Sequence, residues 1–142
     1  MDLPPPAQLP DRVREFLERP LYATISTVGA GRMPHQAVIW YRLEPDGRVL
    51  VNSRSPRRWP DELERERQAS LAIIDLEDPL RWVGLQTVVE TVVDDVTEGR
   101  EDIVALSVRY GEEDEESSAS FRSQQRISFR LRVIAVADHL DD

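Results

Sequence analysis

The sequence contains no cysteine and no lysine, and these two absences exclude several kinds of site. Without cysteine there is no disulfide, no thiolate metal ligand and no cysteine nucleophile. Without lysine there is neither a Schiff base for pyridoxal phosphate nor the lysine of a P-loop. All eighteen basic residues are therefore arginine.

Histidine and long apolar segments are also scarce. Only His35 and His139 occur, and no H-E-x-x-H spacing is present, so we expect no metal site. No stretch reaches the ~18 apolar residues of a membrane span, and the N-terminus MDLPPPAQLP lacks the basic-then-apolar pattern of a signal peptide. We therefore expect a cytoplasmic protein with a single domain over residues 1–142.

The net charge of −9 is unevenly distributed along the chain. Residues 1–60 contain nine arginines and six acidic residues, whereas residues 61–142 contain nine arginines and twenty-one acidic residues. Because an acidic protein repels nucleic acid and anionic membranes, neither is an expected partner. The basic first part is a local exception, which indicates a site for a small anion.

The segment RVLVNSRSPRRW, residues 48–59, joins a predicted strand to a cluster of arginines. Its aliphatic residues favour a buried strand, and Pro56 suits the first turn of a helix expected to run from Pro56 or Pro60 to Arg67. A helix N-terminus attracts anions, and the planar donors of arginine match phosphate oxygens. The segment therefore predicts a phosphate-binding site, with a solvated run of charge as the alternative.

The remaining pattern predicts a mainly β protein with short helices. A proline-rich extended arm at 1–10 precedes a helix at 11–19, and Asp95 with Glu98 resembles a capping box before a later helix. Residues 112–119 are expected to form a flexible acidic loop, with a mobile lid over the site as the alternative. Six strands are predicted, at 21–28, 34–43, 48–53, 69–76, 81–93 and 126–137. The first three are expected to form a meander, and all six to close as an antiparallel barrel.

Four segments resemble a known family and appear in the order found there: FLERPLYATISTVGAGRMPHQAVIWY, RVLVNSRSPRRWPDELERERQASLAIID, RWVGLQ and FRSQQRISFRLR. The chain is similar to the pyridoxamine-phosphate-oxidase-like proteins, and within them most similar to the deazaflavin-dependent oxidoreductases that use coenzyme F-420. The resemblance implies a six-stranded antiparallel split β-barrel of the FMN-binding type. It also implies a homodimer with two cofactor sites at the subunit interface.

The resemblance assigns cofactor contacts to ten residues of this chain. The phosphate side is assigned to Asn52, Ser53, Arg54, Ser55, Arg57 and Arg58. The ring system is assigned to Gln36, Ala37 and Val38, and closure of the pocket to Trp82. The chain departs from the family pattern in having Thr87 where relatives often have glycine, and arginine where many relatives use lysine on the phosphate side.

Two interpretations apply to each of three aromatic residues. Trp82 either closes the pocket or is a core or interface aromatic. Trp40 and Tyr41 are adjacent in a predicted strand and must point to opposite faces. One of them is therefore expected in the core and the other in a pocket or interface.

Three charged or titratable residues are similarly open. His35 is either a loop or strand-edge residue or a proton donor. Arg126 and Arg130 occupy either an exposed strand face or a position that contacts the dimer interface or the cofactor tail. His139 is expected on the surface. No side chain is assigned as catalytic.

The resulting functional hypothesis is an oxidoreductase that transfers a hydride from reduced F-420 to a small organic acceptor. In such enzymes the cofactor carries the chemistry and the protein supplies orientation and electrostatics. One alternative is an oxidase or reductase that uses FMN on the same fold. Another is a non-catalytic carrier or sensor of a flavin or tetrapyrrole.

Overall fold

A computed structural model describes residues 2–54, 56–112 and 114–141, and these residues contain seven strands. The strands are β1 (Ala23–Val28), β2 (Pro34–Ile39), β3 (Arg42–Leu43), β4 (Val49–Arg54), β5 (Gln68–Ile74), β6 (Trp82–Val93) and β7 (Arg126–His139). The helices are α1 (Asp11–Leu17), α2 (Arg58–Glu66), α3 (Val96–Arg109) and α4 (Glu115–Arg122), with a 3-10 turn at Ala30–Arg32. None of the helices in these ranges has the length and apolar character needed to cross a membrane.

The strands form one antiparallel sheet in the order β2-β1-β5-β6-β7-β4-β3. Its two edge strands, β2 and β3, are consecutive in the chain and are separated only by Trp40 and Tyr41. Two residues span only a few ångströms, so the edges must meet and the sheet must curl into a barrel. The predicted mainly β split barrel is confirmed.

The single strand predicted at 34–43 is wrong, since it is divided into β2 and β3. β2 pairs with β1 and β3 pairs with β4, so the first three predicted strands do not form a meander. The strand is interrupted at Trp40 and Tyr41 because its two halves pair with different strands. Tyr41 is buried and its hydroxyl donates to Leu17 O at 2.9 Å, whereas Trp40 is half-buried and stacks on Tyr110.

The core fills the barrel and is covered by α1 and α2. Both helices contribute buried apolar side chains to it, and Trp59 of α2 lies 6.2 Å from Phe129 of β7 between ring centroids. A smaller cluster beneath α3 contains Leu50, Ile103 and Leu106. The two clusters lie on opposite faces of β4, because successive strand residues alternate between faces.

The helix after the arginine segment begins later than Pro56. α2 starts at Arg58 with Arg57 as its N-cap residue, and Pro60 occupies the third helical position. Proline is tolerated there because the first N–H groups of a helix have no intrahelical partner. The helix ends at Glu66, and Arg67 has a left-handed backbone conformation with φ of 63°.

Asp95 caps α3, as the capping-box pattern predicts, because its side chain accepts hydrogen bonds from the N–H groups of Thr97 and Glu98. The acidic loop predicted at 112–119 is wrong for residues 115–119, which belong to α4. Asp114 caps that helix by accepting from Ser117 N at 2.7 Å. Acidic residues in its first turn also face the positive end of the helix dipole, so the acidic run stabilises a helix start.

Candidate functional site

The predicted phosphate side consists of exposed arginines at the junction of β4 and α2. Arg54 ends β4, Arg57 precedes α2 and Arg58 begins it, and all three are exposed. Arg58 is turned toward Glu62, with 3.5 Å between Nη2 and Oε2. The predicted contact Ser55 lies outside the described residues.

A fourth arginine joins this group from β7. Arg126 is paired directly with Arg54 across β4 and β7, so that two like charges face each other. Only 6 % of Arg126 is exposed, which excludes the exposed strand face as its location. Burial, followed by the charges of Arg57 and Arg54, lowers the pKa of Arg126 to about 10. The guanidinium therefore remains charged at neutral pH while its neighbours repel it.

No carboxylate of the described residues forms an ion pair with Arg54, Arg57 or Arg126. Several other half-buried arginines have carboxylate partners or donate to backbone carbonyls, as Arg132 does to Glu90 and Arg109 to Leu17 O and Arg19 O. Arg130, four residues along β7, pairs with Glu44 at 2.7 Å. Arg54, Arg57 and Arg126 are called here the arginine group, and their charge favours an anion.

Asn52 and Ser53, also predicted on the phosphate side, have different surroundings. Asn52 is buried and its Nδ2 donates to Gly99 O and to Ser128 Oγ, both at 2.8 Å. Its Oδ1 accepts from Nη1 of Arg126 at 3.3 Å. Ser53 is fully buried, and its hydroxyl has no partner among the described residues. Strand alternation directs Ser53 toward the barrel, away from the arginine group.

A cavity of about 350 Å³ adjoins the arginine group and is called here the split cavity, because it lies between the β2 edge and β4. Asn52, Arg57 and Arg126 form its polar side. Its other side is apolar and is lined by Tyr22, Val38, Ile39, Trp40, Ile103, Leu106 and Phe121. Trp40 thus takes the predicted pocket position and Tyr41 the core position. The cavity can hold a molecule with an anionic end and an apolar part.

The three predicted ring contacts on β2 do not line one cavity. Val38 lines the split cavity and is 72 % exposed, whereas Ala37 packs against the core. Gln36 donates through Nε2 to Ser26 Oγ at 3.1 Å and lines a second cavity of about 340 Å³. This second cavity lies on the outer face of β1, β5, β6 and β7 and is called here the outer cavity.

Trp82, the predicted closing residue, lines the outer cavity and not the split cavity. It is half-buried, and its ring stacks on His139 with 4.3 Å between centroids and 10° between planes. A Cβ on Gly84 would lie 2.9 Å from Trp82 Cζ3, so glycine leaves room for the indole. In one chain, therefore, the predicted site residues are divided between two cavities.

A buried carboxylate that the sequence did not reveal lies beside Arg58. Oε1 of Glu62 accepts from the Thr27 hydroxyl at 2.7 Å and lies 3.0 Å from His35 Nδ1. Burial alone would raise the pKa of Glu62, but the hydrogen bonds from Thr27 and His35 and the nearby charges hold it below its ordinary value. His35 is thus a strand residue with a carboxylate partner, outside the residues that line the split cavity.

Arg126, Phe121 and Glu62 are the residues that sequence reasoning missed or left open. The alternation in β7 places Arg126, Ser128 and Arg130 on one face, but only the pairing of β7 with β4 shows that this face meets the arginine segment.

Thr87, the departure from the family pattern, is accommodated because its hydroxyl donates to Ala69 O at 2.9 Å. Among the described residues there is no cluster of three acidic, histidine or cysteine side chains that could hold a metal ion.

The antiparallel barrel and the split between its edges define a split β-barrel protein. Residues 9–139 match the family model of pyridoxamine 5'-phosphate oxidase, and the chain belongs to that family. The predicted family resemblance is therefore confirmed. No curated protein sequence matches the chain.

Solved structures share the fold at low sequence identity. A structure named F420 reductase is 23 % identical with a TM-score of 0.79, and the match covers 91 % of this chain and 98 % of the other. A conserved hypothetical protein of Mycobacterium tuberculosis is 18 % identical with a TM-score of 0.73 and coverages of 94 % and 87 %. HutZ, the heme storage protein of Vibrio cholerae, is 19 % identical with a TM-score of 0.69 and coverages of 93 % and 95 %. At these identities the likeness concerns the fold alone.

Proposed function

We propose that the protein is an oxidoreductase that uses the deazaflavin coenzyme F-420 and reduces a small organic acceptor. The observation that carries the proposal is the arginine group beside the split cavity. Three arginines without carboxylate partners among the described residues, one of them buried, suit the phosphate of a flavin-type cofactor. The family and the fold shared with an F420 reductase support this choice.

The residues present fit the phosphate-bearing part of such a cofactor. Arg126 has a buried Nε without a partner, and Arg57 lies at the polar side of the same cavity. When bound, the cofactor would supply the hydride. The arginines would neutralise its phosphate, and the apolar residues that line the split cavity would exclude water from it. A cavity of about 350 Å³ lies at the low end of ligand pockets, so the remainder of the cofactor must extend beyond it.

A homodimer is part of the proposal because a single chain divides the predicted contacts between two cavities. The outer cavity is lined by small residues of neighbouring strands, including Thr24, Ala72 and Gly84, which a flat second surface could cover. Exposed Val38 and Ile74 add apolar area on β2 and β5. A second copy seated there would bring Gln36 and Trp82 of one subunit toward the cofactor of the other.

Cofactor binding is tested by absorbance of protein made in a host that lacks deazaflavin. We expect a colourless preparation that takes up added F-420 and then transfers hydride from the reduced form to an acceptor. A preparation that is yellow with a bound flavin spectrum, and that ignores F-420, would contradict the proposal and favour FMN. The arginine group fits either phosphate, so the spectrum is the deciding measurement.

A carrier without turnover is the second candidate, and the heme storage protein among the structural relatives favours it. Heme would require an axial ligand, and His35 is engaged by Glu62 while His139 stacks on Trp82. Addition of hemin separates the two candidates. A Soret shift at stoichiometric hemin, together with no oxidation of reduced F-420 across an acceptor panel, would replace the oxidoreductase proposal by the carrier.

A further inference from the structure

Arg126 is a buried arginine whose hydrogen-bonding capacity is incompletely used. Its Nη1 donates to Asn52 Oδ1 at 3.3 Å, and its guanidinium carbon lies 5.2 Å from the centre of the Phe121 ring. Its Nε is buried and has no hydrogen-bond partner among the described residues. Because Arg126 lines the split cavity, a ligand in that cavity can supply the missing acceptor.

A chain of hydrogen bonds from α3 holds the side chain that orients Arg126. Asp102 Oδ2 accepts from the Ser128 hydroxyl at 2.7 Å, and Ser128 Oγ accepts from Asn52 Nδ2 at 2.8 Å. The second proton of that amide nitrogen goes to Gly99 O. Both amide protons are therefore used, so the carbonyl oxygen of Asn52 is the atom that faces Arg126. Asn52 has no donor left for a ligand, and its role is to orient the arginine.

The charges around Arg126 favour an oxyanion with several acceptor oxygens. Arg54 and Arg57 are its charged neighbours, and Asp102 is connected to it only through Ser128 and Asn52. A phosphate offers several oxygens and up to two charges, so it matches three guanidinium groups better than a carboxylate does. Binding of phosphate would also relieve the repulsion between Arg54 and Arg126, which face each other across the strands.

We propose that Arg126 is a phosphate-binding residue of the split cavity and that Asn52, Ser128 and Asp102 are positioning residues for it. The site therefore includes a residue of β7 and is not confined to the β4–α2 segment. The inference rests on the proposed function only for the identity of the molecule that carries the phosphate. Binding of inorganic phosphate alone can test it.

The first test is a calorimetric titration of the purified, cofactor-free full chain with inorganic phosphate. Arg126→Gln is expected to weaken phosphate binding by about 10- to 100-fold, the usual effect of losing a charged hydrogen bond. The matched control Arg65→Gln removes the same charge from an exposed residue of α2 and should change affinity by less than about 2-fold. Absence of phosphate binding by the unmodified chain, or equal losses in both variants, would overturn the inference.

The second test separates positioning from folding. Asn52→Ala keeps every arginine, so a weakening of phosphate binding by about 3- to 10-fold, measured well below its melting temperature, would support positioning. A lower melting temperature with unchanged phosphate affinity would show that Asn52 is merely structural. For Arg126→Gly, added guanidinium ion at tens of millimolar should restore phosphate binding, whereas urea at the same concentration should not. Equal responses to both additives would count against Arg126 as the binding group.

The two proposals can fail separately. If Arg126→Gln loses phosphate binding but the protein takes up no F-420, the inference stands and the proposed function fails. If F-420 is taken up equally by the unmodified chain and by Arg126→Gln, while phosphate affinity is also unchanged, the inference fails and the proposed function stands.

Discussion

Arg57 and Arg58 are neighbours in the sequence but differ in their surroundings. Arg57 lines the split cavity and has no acidic partner among the described residues, whereas Arg58 is turned toward Glu62. An arginine already paired with a carboxylate contributes less to an incoming anion, because its charge is partly neutralised. The functional weight of each arginine therefore depends on its partner and not on its position in the motif.

We expect Arg57→Ala to weaken F-420 binding by about 10- to 100-fold and Arg58→Ala by about 3-fold or less. Both side chains are exposed, so neither change should alter the fold. Fluorescence titration with the cofactor and circular dichroism of each variant provide the two measurements. Unchanged affinity in the double variant would remove the phosphate site at this junction.

Glu62 links α2 to β1 and β2 through Thr27 and His35, and this makes stability dependent on pH. Its folded-state pKa is lower than the ordinary value of 4.5, so it contributes stability above that pH and loses the contribution as pH falls through the lowered value. Glu62→Gln should remove this acid-side dependence and cost about 1–3 kcal/mol at neutral pH. Urea unfolding of both proteins between pH 3 and pH 7 gives the difference. Parallel stability curves across this range would refute the assignment.

At the scale of elements, the contact between α3 and β7 connects the stability of the fold to the site. Gly99 in α3 has no side chain, and its backbone carbonyl accepts a hydrogen bond from Asn52 Nδ2. A Cβ at this position would lie 2.8 Å from Arg126 O, which is closer than backbone atoms permit. Glycine thus allows the helix to lie close enough for its carbonyl to orient Asn52.

Gly99→Ala should destabilise the protein by about 1–3 kcal/mol, because α3 must move away from β7. The ordinary helix-propensity gain of about 1 kcal/mol should not offset this loss. The same change should weaken phosphate binding, since it moves the carbonyl that holds Asn52. Chemical denaturation measures the first effect and calorimetry the second. Thr97→Ala, at an exposed position of the same helix, serves as the control, and a stabilised Gly99→Ala protein would contradict the prediction.

At the scale of the whole molecule, closure of the sheet creates the split cavity, and the outer cavity is lined by residues of β1, β2, β5, β6 and β7. Trp40 and Tyr41 connect the two edge strands, β2 and β3. Trp40 lines the split cavity, whereas the adjacent Tyr41 lies in the core. The outer cavity contains predicted site residues, and none of the residues that line it is charged. An uncharged lining is compatible with a covered surface between two copies.

We expect the protein to sediment as a dimer and Ala72→Arg to convert it to a monomer, because the new charge would lie in the outer cavity. F-420 affinity should fall together with dimerisation if both subunits contribute to the cofactor site. Ala105→Arg, on an exposed position of α3, adds the same charge elsewhere and should remain dimeric. A monomeric unmodified protein in analytical ultracentrifugation would refute this arrangement.

The sequence alone determined features that depend on neighbouring residues. The alternating apolar positions, the cap at Asp95 and the arginine segment all arise from contacts within a few residues, so the strands, the start of α3 and the mainly β class followed from local pattern. The prediction of one strand at 34–43 was wrong because its division depends on which distant strand each half pairs with. Local pattern contains no information on that choice.

Only the tertiary structure decided which charges meet. Arg126 is far from Arg54 in the sequence and faces it because β7 pairs with β4 in one register. A shift of one residue would place Arg126 on the other face of the strand, so the arginine group depends on register and not on composition. Closure of the barrel likewise assigned Val38 and Gln36, on the same strand, to different cavities. The arginine segment was visible in the sequence, but the buried Arg126 and the hydrogen bonds that link it to Asn52, Ser128 and Asp102 required the packed sheet.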